Sequence, residues 1–352
     1  MKIILKILKA LLIVVIIFIA GFAGLIAYAL VTDYNPVEKE TLFTKVDPGK
    51  LNDTIELSIL TWNIGYCGLD KDMDFFYDGG KKVFTPKKTL INNLVAVEKF
   101  LKQNDTADFI FIQEVDKDSK RSYHINEFDS LNSVLKNHFS SFGKNYDVFF
   151  VPVPVSSPMG KVLSGVALYS KFQPVSSVRN SFPGKYSFPK QLFMLDRCFI
   201  VNRYPLTNGK DLIVINTHNE AYDPGQIRKA QMDYLKGFLQ KEYEKGNYLI
   251  LGGDWNQTPP EFKPTYPASL IRTEQISLPA SYLPAGWQWV YDNTTPTNRT
   301  IQSAYDPEKT TTTVIDFFLI SPNVKANSVK CYNLDFEHSD HNPVLAKFRL
   351  IK

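Results

Sequence analysis

Asn63, Glu114 and Asp254 each follow a short apolar run: Leu60-Thr61-Trp62, Phe109-Ile110-Phe111-Ile112 and Leu249-Ile250-Leu251-Gly252-Gly253. A carboxylate is costly inside a strand unless it is paired or metal-bound, whereas strand ends that open on a crevice are where α/β sheets bind ligands. Taken singly, each residue reads as an ordinary cap that ends a strand in a loop. Together they call for one common partner. A hard divalent cation fits, because Asn63, Glu114 and Asp340 offer only oxygens, and Mg2+ is typically held by one or two carboxylates with substrate phosphate and water. Mn2+ is the alternative ion. Zinc suits the chain less well: His124, His138, His218, His338 and His341 form no His-Glu-x-x-His, and there is no cysteine cluster. Asp70-Lys71-Asp72-Met73-Asp74 has the start of a calcium loop, but Phe75 stands where glycine is needed and Lys81 where glutamate should chelate. Asp70 to Pro86 is instead read as a surface excursion, with Phe75, Phe76 and Tyr77 packed beneath it or facing substrate.

The elements that must position these groups alternate between strand and helix. Ile55 to Ile64 is β-rich, Lys88 to Gln103 spaces Leu90, Ile91, Leu94, Val97, Phe100 and Leu101 as a helix, and Asp108 to Val115 returns to a short strand. Tyr146 to Val155, Gly165 to Ser170, Cys198 to Arg203 and Asp211 to Thr217 read as further strands. A long amphipathic helix is expected from about Gln226 to Lys245, with Pro224 just ahead of it. Tyr248 to Leu251, Val314 to Ile320 and Pro343 to Leu350 complete an α/β sandwich. Gln257 to Thr310, rich in proline and carrying Trp287 and Trp289, is the least regular stretch. It reads as a functional loop or as an irregular wall over the sheet.

Ahead of that domain, Ala10 to Leu30 contains no charge, and a helix of that length matches a hydrocarbon core of about 30 Å. The run exceeds the h-region of a cleaved signal peptide, so a retained anchor is expected, although Ala27-Tyr28-Ala29 would suit cleavage. Residues 1–9 then form a basic flank, 10–32 a transmembrane anchor, 33–53 a polar linker and 54–352 the functional domain. Lys2, Lys6 and Lys9 precede the span, which places the N-terminus in the cytoplasm and the domain on the extracytoplasmic side of a single-pass protein. Removing those lysines from the excess of 40 basic over 36 acidic residues leaves +1 for residues 33–352, which disfavours a non-specific nucleic-acid binder. Cys67, Cys198 and Cys331 are too scattered for a disulfide framework and read as buried thiols.

Six segments in order, Thr61-Trp62-Asn63-Ile64-Gly65, Ile112-Gln113-Glu114-Val115, Asn216-Thr217-His218, Gly252-Gly253-Asp254-Trp255-Asn256, Val314-Ile315-Asp316-Phe317 and Ser339-Asp340-His341-Asn342-Pro343-Val344, resemble the motifs of the endonuclease/exonuclease/phosphatase superfamily, the deoxyribonuclease I-like fold. The resemblance runs over about residues 55–350. It implies a four-layer α/β/β/α sandwich and metal-dependent hydrolysis of a phosphoester by in-line attack of water. Carried over by motif, Asn63 and Glu114 resemble the main Mg2+ ligands, with Asp340 as a further ligand or a group behind one. Asp316 would orient His341, a neutral imidazole able to take a proton from water. His218 and Asn256 resemble the groups that hold non-bridging phosphate oxygens. Asp254 would position the attacking water or assist the leaving oxygen. Arg197 reads either as a phosphate contact or as an ion pair with Asp196 or another acid.

The substrate is left open by motifs that nucleases, lipid phosphodiesterases and inositol-polyphosphate phosphatases share. The anchor and the balanced charge favour a lipid or small phosphodiester, acted on by a monomer. An extracytoplasmic nuclease on DNA or RNA is the alternative, and a catalytically dead binding protein the rival from another class. Trp287, Trp289 and Tyr291 would stack on bases, insert at a lipid interface or fill the core.

Overall fold

Strands Glu56–Asn63 (β2) and Phe109–Asp116 (β3) are apolar on both faces, which suits a sheet covered on both sides. Phe109 and Phe111 join one core cluster while Ile110 and Ile112 join another, as the two-residue period of a strand requires. The computed structural model describes residues 2–47, 49–223, 225–267 and 270–351.

One sheet has seven strands, in the order Lys39–Thr44 (β1), Ser176–Ser181 (β6), Cys198–Pro205 (β7), Asp211–His218 (β8), Tyr248–Asp254 (β9), Asp316–Ile320 (β13) and Gln288–Val290 (β10). The other has six: Val324–Cys331 (β14), Val344–Leu350 (β15), β2, β3, Gly160–Ser170 (β5) and Phe139–Val151 (β4). A short pair, Asn298–Arg299 (β11) with Thr312–Thr313 (β12), stands apart. The inner faces interdigitate through Ile59, Phe111, Leu168, Val214, Ile250 and Phe318. Two pairings are parallel, β2 with β3 and β8 with β9. Each needs a helical crossover. Lys87–Gln103 (α2) supplies the first and buries Leu90, Leu94, Val97 and Leu101 on the outside of the six-stranded sheet, beside Glu127–Val134 (α3). Gln226–Glu244 (α4) supplies the second and buries Met232, Leu235 and Leu239 on the outside of the seven-stranded sheet. Its start is capped by Asp223, whose Oδ2 accepts from the backbone N–H groups of Gly225, Ile227 and Arg228 at 2.7, 2.9 and 3.2 Å. Pro224, expected ahead of this helix, lies outside the described residues, as does Pro48. The result is the expected four-layer α/β/β/α sandwich.

Two expectations are corrected and two hold. Residues 33–53 are more than a linker: β1 within them pairs antiparallel with β6 and forms an edge of the seven-stranded sheet. The helix at the N-terminus, Lys2–Thr32 (α1), takes in the basic flank as well as the apolar run. Trp287, Trp289 and Tyr291 pack against the α4 core, with the Trp289 ring 5.3 Å from that of Trp255, so the core-filling reading holds. Phe75 is buried against Tyr66 and Met73 as expected.

Candidate active site

Both parallel pairs run out at one crevice. Asn63 ends β2, Glu114 lies near the end of β3, and His218 and Asp254 end β8 and β9. Asp316 opens β13 directly opposite Asp254. His341 lies just ahead of β15, whose first residue, Val344, pairs with Thr61. The six-stranded sheet and the seven-stranded sheet thus deliver their polar termini to the same place, where crossover topology favours a ligand.

Local backbone irregularity aims these groups. Glu114 sits at φ +55°, and the register of β3 on β5 shifts between Ile112 and Val115, so a bulge turns its side chain out of the strand's alternation. Asn256 has φ +51°. Such left-handed conformations cost non-glycine residues about 1–3 kcal/mol and persist where surrounding structure fixes them. Gly65, at φ +53°, has a different reason: a Cβ there would lie 2.9 Å from Leu69 Cβ and 3.0 Å from Asp340 Oδ1. Gly65→Ala is therefore expected to displace Asp340 and to lower stability by about 1–3 kcal/mol, read as a lower Tm together with lost hydrolysis. Unchanged Tm and activity would contradict the close approach.

His341 Nδ1 meets Asp316 Oδ2 at 2.7 Å, and its Nε2 meets Asn298 Nδ2 at 3.0 Å. Burial alone would lower its pKa, but the Asp316, Asp340 and Asp254 carboxylates outweigh burial and lift it to about 10, so without an ion the ring is charged near neutral pH, a correction to the neutral imidazole expected from the sequence. His218 is the opposite case. Burial, with Arg197 nearby, holds it well below the usual histidine value, so it is neutral. Its Nε2 lies 3.4 Å from Asp254 Oδ2 and its Nδ1 has no hydrogen-bond partner among the described residues. Burial pushes Asp254 up to about 6, with Asp316 adding to the rise. Burial, with Glu114 adding, pushes Asp340 up to about 7.

Asn63 joins the carboxylates: its Nδ2 donates to Glu114 Oε1 at 3.1 Å and to Asp254 Oδ2 at 3.0 Å, while Gly65 N–H donates to its Oδ1 at 2.9 Å. In this arrangement the amide shows its NH2 to the acids, and ligation through oxygen requires it to turn. Asp254, Asp316 and His341 place donor atoms within 4.8 Å of one another, a triad that could hold a metal. Within that triad, however, Asp316 and His341 already bond each other. Asp340 Oδ2 is only 3.8 Å from His341 Nε2. A crowd of carboxylate oxygens with one amide is the donor set a hard divalent ion takes. The residues present fit such an ion.

The cavity above them has a volume of about 740 Å³. Arg197 is buried at its wall, with Nε 3.7 Å from Glu220 Oε2 and neither Nε nor Nη1 hydrogen-bonded among the described residues. Its acidic neighbour is therefore Glu220, loosely held. Asn256 keeps its amide in place by donating to the Asn219 carbonyl at 3.0 Å.

Sequence reading missed Asn298, which touches His341 and comes from the irregular proline-rich stretch, where no periodicity marks it. It also gave no role to Gln113 and Asn216, although both lie in quoted motifs. Gln113 Nε2 donates to Asn216 Oδ1 at 2.7 Å, and Asn216 Nδ2 donates to the carbonyls of Ala167 and Ile112 at 2.8 and 3.2 Å, so a buried polar clip ties the sheets together. Paired amides between two apolar sheets specify how those sheets meet.

Two packed sheets with helices outside, and acids, amides and imidazoles gathered at one end, define the deoxyribonuclease I-like sandwich. The chain belongs to the Endonuclease/Exonuclease/phosphatase family, whose model matches residues 60–341. Its fold is similar to that of an endonuclease/exonuclease/phosphatase from Beutenbergia cavernae DSM 12333, at 17% identity and a TM-score of 0.57, over 84% of this chain and 72% of that one. ANGEL2, a 2',3'-cyclic phosphatase solved with adenosine-2',3'-vanadate, is similar at 17% identity and a TM-score of 0.54, over 90% of this chain and 99% of its own. TDP2 from D. rerio, solved with a single-strand DNA product, shows 17% identity and a TM-score of 0.52, over 84% and 99% of the respective chains. No curated protein matches by sequence.

Proposed function

We propose that this chain is a membrane-anchored, Mg2+-dependent phosphodiesterase in which His341, braced by Asp316, activates water for in-line attack on phosphorus. The observation that carries this reading is the 2.7 Å contact between His341 Nδ1 and Asp316 Oδ2, set beside Asp254 and Asp340 at the shared end of both sheets. The carboxylate fixes the ring with Nε2 3.0 Å from Asn298 Nδ2 and 3.8 and 3.9 Å from Asp340 and Asp254, and it stabilises the imidazolium formed when water, taking the place of Asn298 at Nε2, gives up its proton. Water oxygen bonds to phosphorus as the ester P–O bond breaks, and the proton passes to the leaving oxygen. Asn63, Glu114 and Asp340 would hold the ion. Bound there, Mg2+ would polarise a phosphoryl oxygen, offset charge on the leaving oxygen and cancel part of the carboxylate field that lifts His341. His218, kept neutral, and the Asn256 amide would steady the non-bridging oxygens as their charge grows. Arg197 at the cavity wall, whose Nε and Nη1 have no hydrogen-bond partner among the described residues, would turn its guanidinium toward the same oxygens. Asp254, raised to about 6, is suited to orient water or to share a proton with the leaving oxygen.

α1 is long and apolar enough to span a bilayer, which supports the anchored reading. The positive-inside bias of Lys2, Lys6 and Lys9 supports a domain outside the cytoplasm. The same features, with a near-neutral domain, favour a lipid or small phosphodiester over nucleic acid. The test is hydrolysis of bis(p-nitrophenyl) phosphate by the full chain in detergent, with Mg2+ and with a chelator. Turnover abolished by chelation and restored by Mg2+ is expected. Absence of turnover under both conditions would favour the binding protein on a dead scaffold.

A further inference from the structure

The cavity over His341 has two characters. One end is polar and holds the groups described above. The other is walled by Tyr77, Tyr146, Val151, Val153, Met159 and Phe193, and it is bordered by Phe22 of α1. Tyr77 is fixed there by donating its hydroxyl to the Val153 carbonyl. A few residues further along α1, the Tyr28 ring packs edge-on against Phe149 of β4 at 4.3 Å. The last third of the apolar helix therefore borders the cavity mouth at Phe22 and touches β4 at Tyr28, with Ala29 buried, while Phe22 and Tyr28 keep 52% and 54% of their surface exposed.

That contact fixes a depth. If the charge-free run from Ala10 to Leu30 fills a hydrocarbon layer of about 30 Å, Phe22 lies roughly 12 Å inside its outer edge at 1.5 Å per residue. The domain surface that touches Phe22 and Tyr28 cannot then stand off in water. The two loops at that mouth have the composition such a position demands. One carries Val153 and Val155, 45% and 89% exposed. The other carries Phe188, 58% exposed, followed by Pro189 at the cavity wall. The second loop is tied to the foot of the anchor, where Lys185 Nζ donates to Asn35 Oδ1 at 2.6 Å. Lys185 and Lys190 flank Phe188, the second with its Nζ 4.0 Å over the Tyr186 ring, so the loop's basic side chains stay beside its exposed apolar tip.

We infer that the loops 152–158 and 183–190, together with the last third of α1, form a surface that is embedded in the bilayer interface, so that the reactive cavity opens onto the leaflet rather than onto bulk water. This rests on the anchored-phosphodiesterase reading above. It assigns the cavity's apolar limb to the hydrocarbon part of an amphipathic phosphodiester drawn from that leaflet.

The test places a fluorescent nitrobenzoxadiazole label at Val155→Cys, at Phe188→Cys and, as a distant control, at Ser328→Cys on the exposed edge strand β14. Cys67, Cys198 and Cys331 are buried and stay unlabelled. Full chains are reconstituted in phosphatidylcholine vesicles containing some phosphatidylserine, with or without brominated acyl chains. Labels at 155 and 188 are expected to shift to the blue and to lose most of their emission in brominated vesicles, while the label at 328 does neither. Flotation and Mg2+-dependent dye hydrolysis are measured on the same samples. Chain that floats and hydrolyses, with all three labels equally wet, would overturn the embedding and leave the anchored phosphodiesterase standing. Chain that does not float with vesicles would overturn both. Labels at 155 and 188 shielded from iodide but untouched by brominated lipid would assign the loops to a protein partner or a second copy, and would also overturn the inference.

Discussion

Glu114→Ala is expected to lower hydrolysis of bis(p-nitrophenyl) phosphate by at least ~10² at saturating Mg2+, because a Lewis-acid metal supplies several kcal/mol of transition-state stabilisation and each 1.36 kcal/mol is a decade of rate. Glu114 is the one candidate ligand placed by a bulge with φ +55°, a conformation that costs a non-glycine residue about 1–3 kcal/mol. Removing its carboxylate also leaves Asn63 Nδ2 with Asp254 as its remaining acid. The loss should appear in activity and in Mg2+ affinity with Tm nearly unchanged. Glu114→Gly should be at least as stable as Glu114→Ala, since glycine accepts positive φ without strain. A Glu114→Ala enzyme with normal rate and normal Mg2+ dependence would remove the residue from the site.

Asp316→Asn is expected to lower turnover by on the order of 10² to 10⁴ with little change in KM, the size of effect seen when a base loses the carboxylate that fixes its tautomer. Asp316 is fully buried, and its Oδ2 holds His341 Nδ1 at 2.7 Å. The sign of the accompanying titration is fixed. Asp316 raises the His341 pKa, so in the metal-free variant the imidazole should lose its proton at a pH below the value of about 10 reached in the parent protein. Histidine NMR across a pH series in chelator reads this directly. An unshifted His341 with undiminished turnover would show that the pair has no catalytic part.

Much of the site was legible because its residues end apolar runs. Asn63, Glu114 and Asp254 interrupt sequences that must be buried on both faces, and a polar residue in that position needs a partner. The long helices were legible for a related reason: α2 and α4 each bury one stripe on a sheet, which writes a 3.6-residue period into the sequence. The parts that were missed lack such a signature. β1, β6 and β14 carry many polar residues; β1 and β14 are outermost strands, and β6 lies just inside β1. They are held by backbone pairing, which leaves little trace in side-chain hydropathy. Asn298 meets His341 across the fold, and the clip between Gln113 and Asn216 forms only when the two sheets meet. Contacts of that kind are products of tertiary packing. The linker over residues 33–53 was misjudged for the same reason, since Lys39–Thr44 becomes a strand only when β6 is beside it.

The central claim is that Asn63, Glu114 and Asp340 gather one hard divalent cation in front of the His341–Asp316 pair. Anomalous diffraction from crystals of the full chain grown with Mn2+ tests it most directly. The account requires a single strong peak within about 2.0–2.3 Å of a Glu114 carboxylate oxygen, lost in Glu114→Ala crystals. A peak seated instead among Asp254, Asp316 and His341, with Glu114 bare, would contradict it.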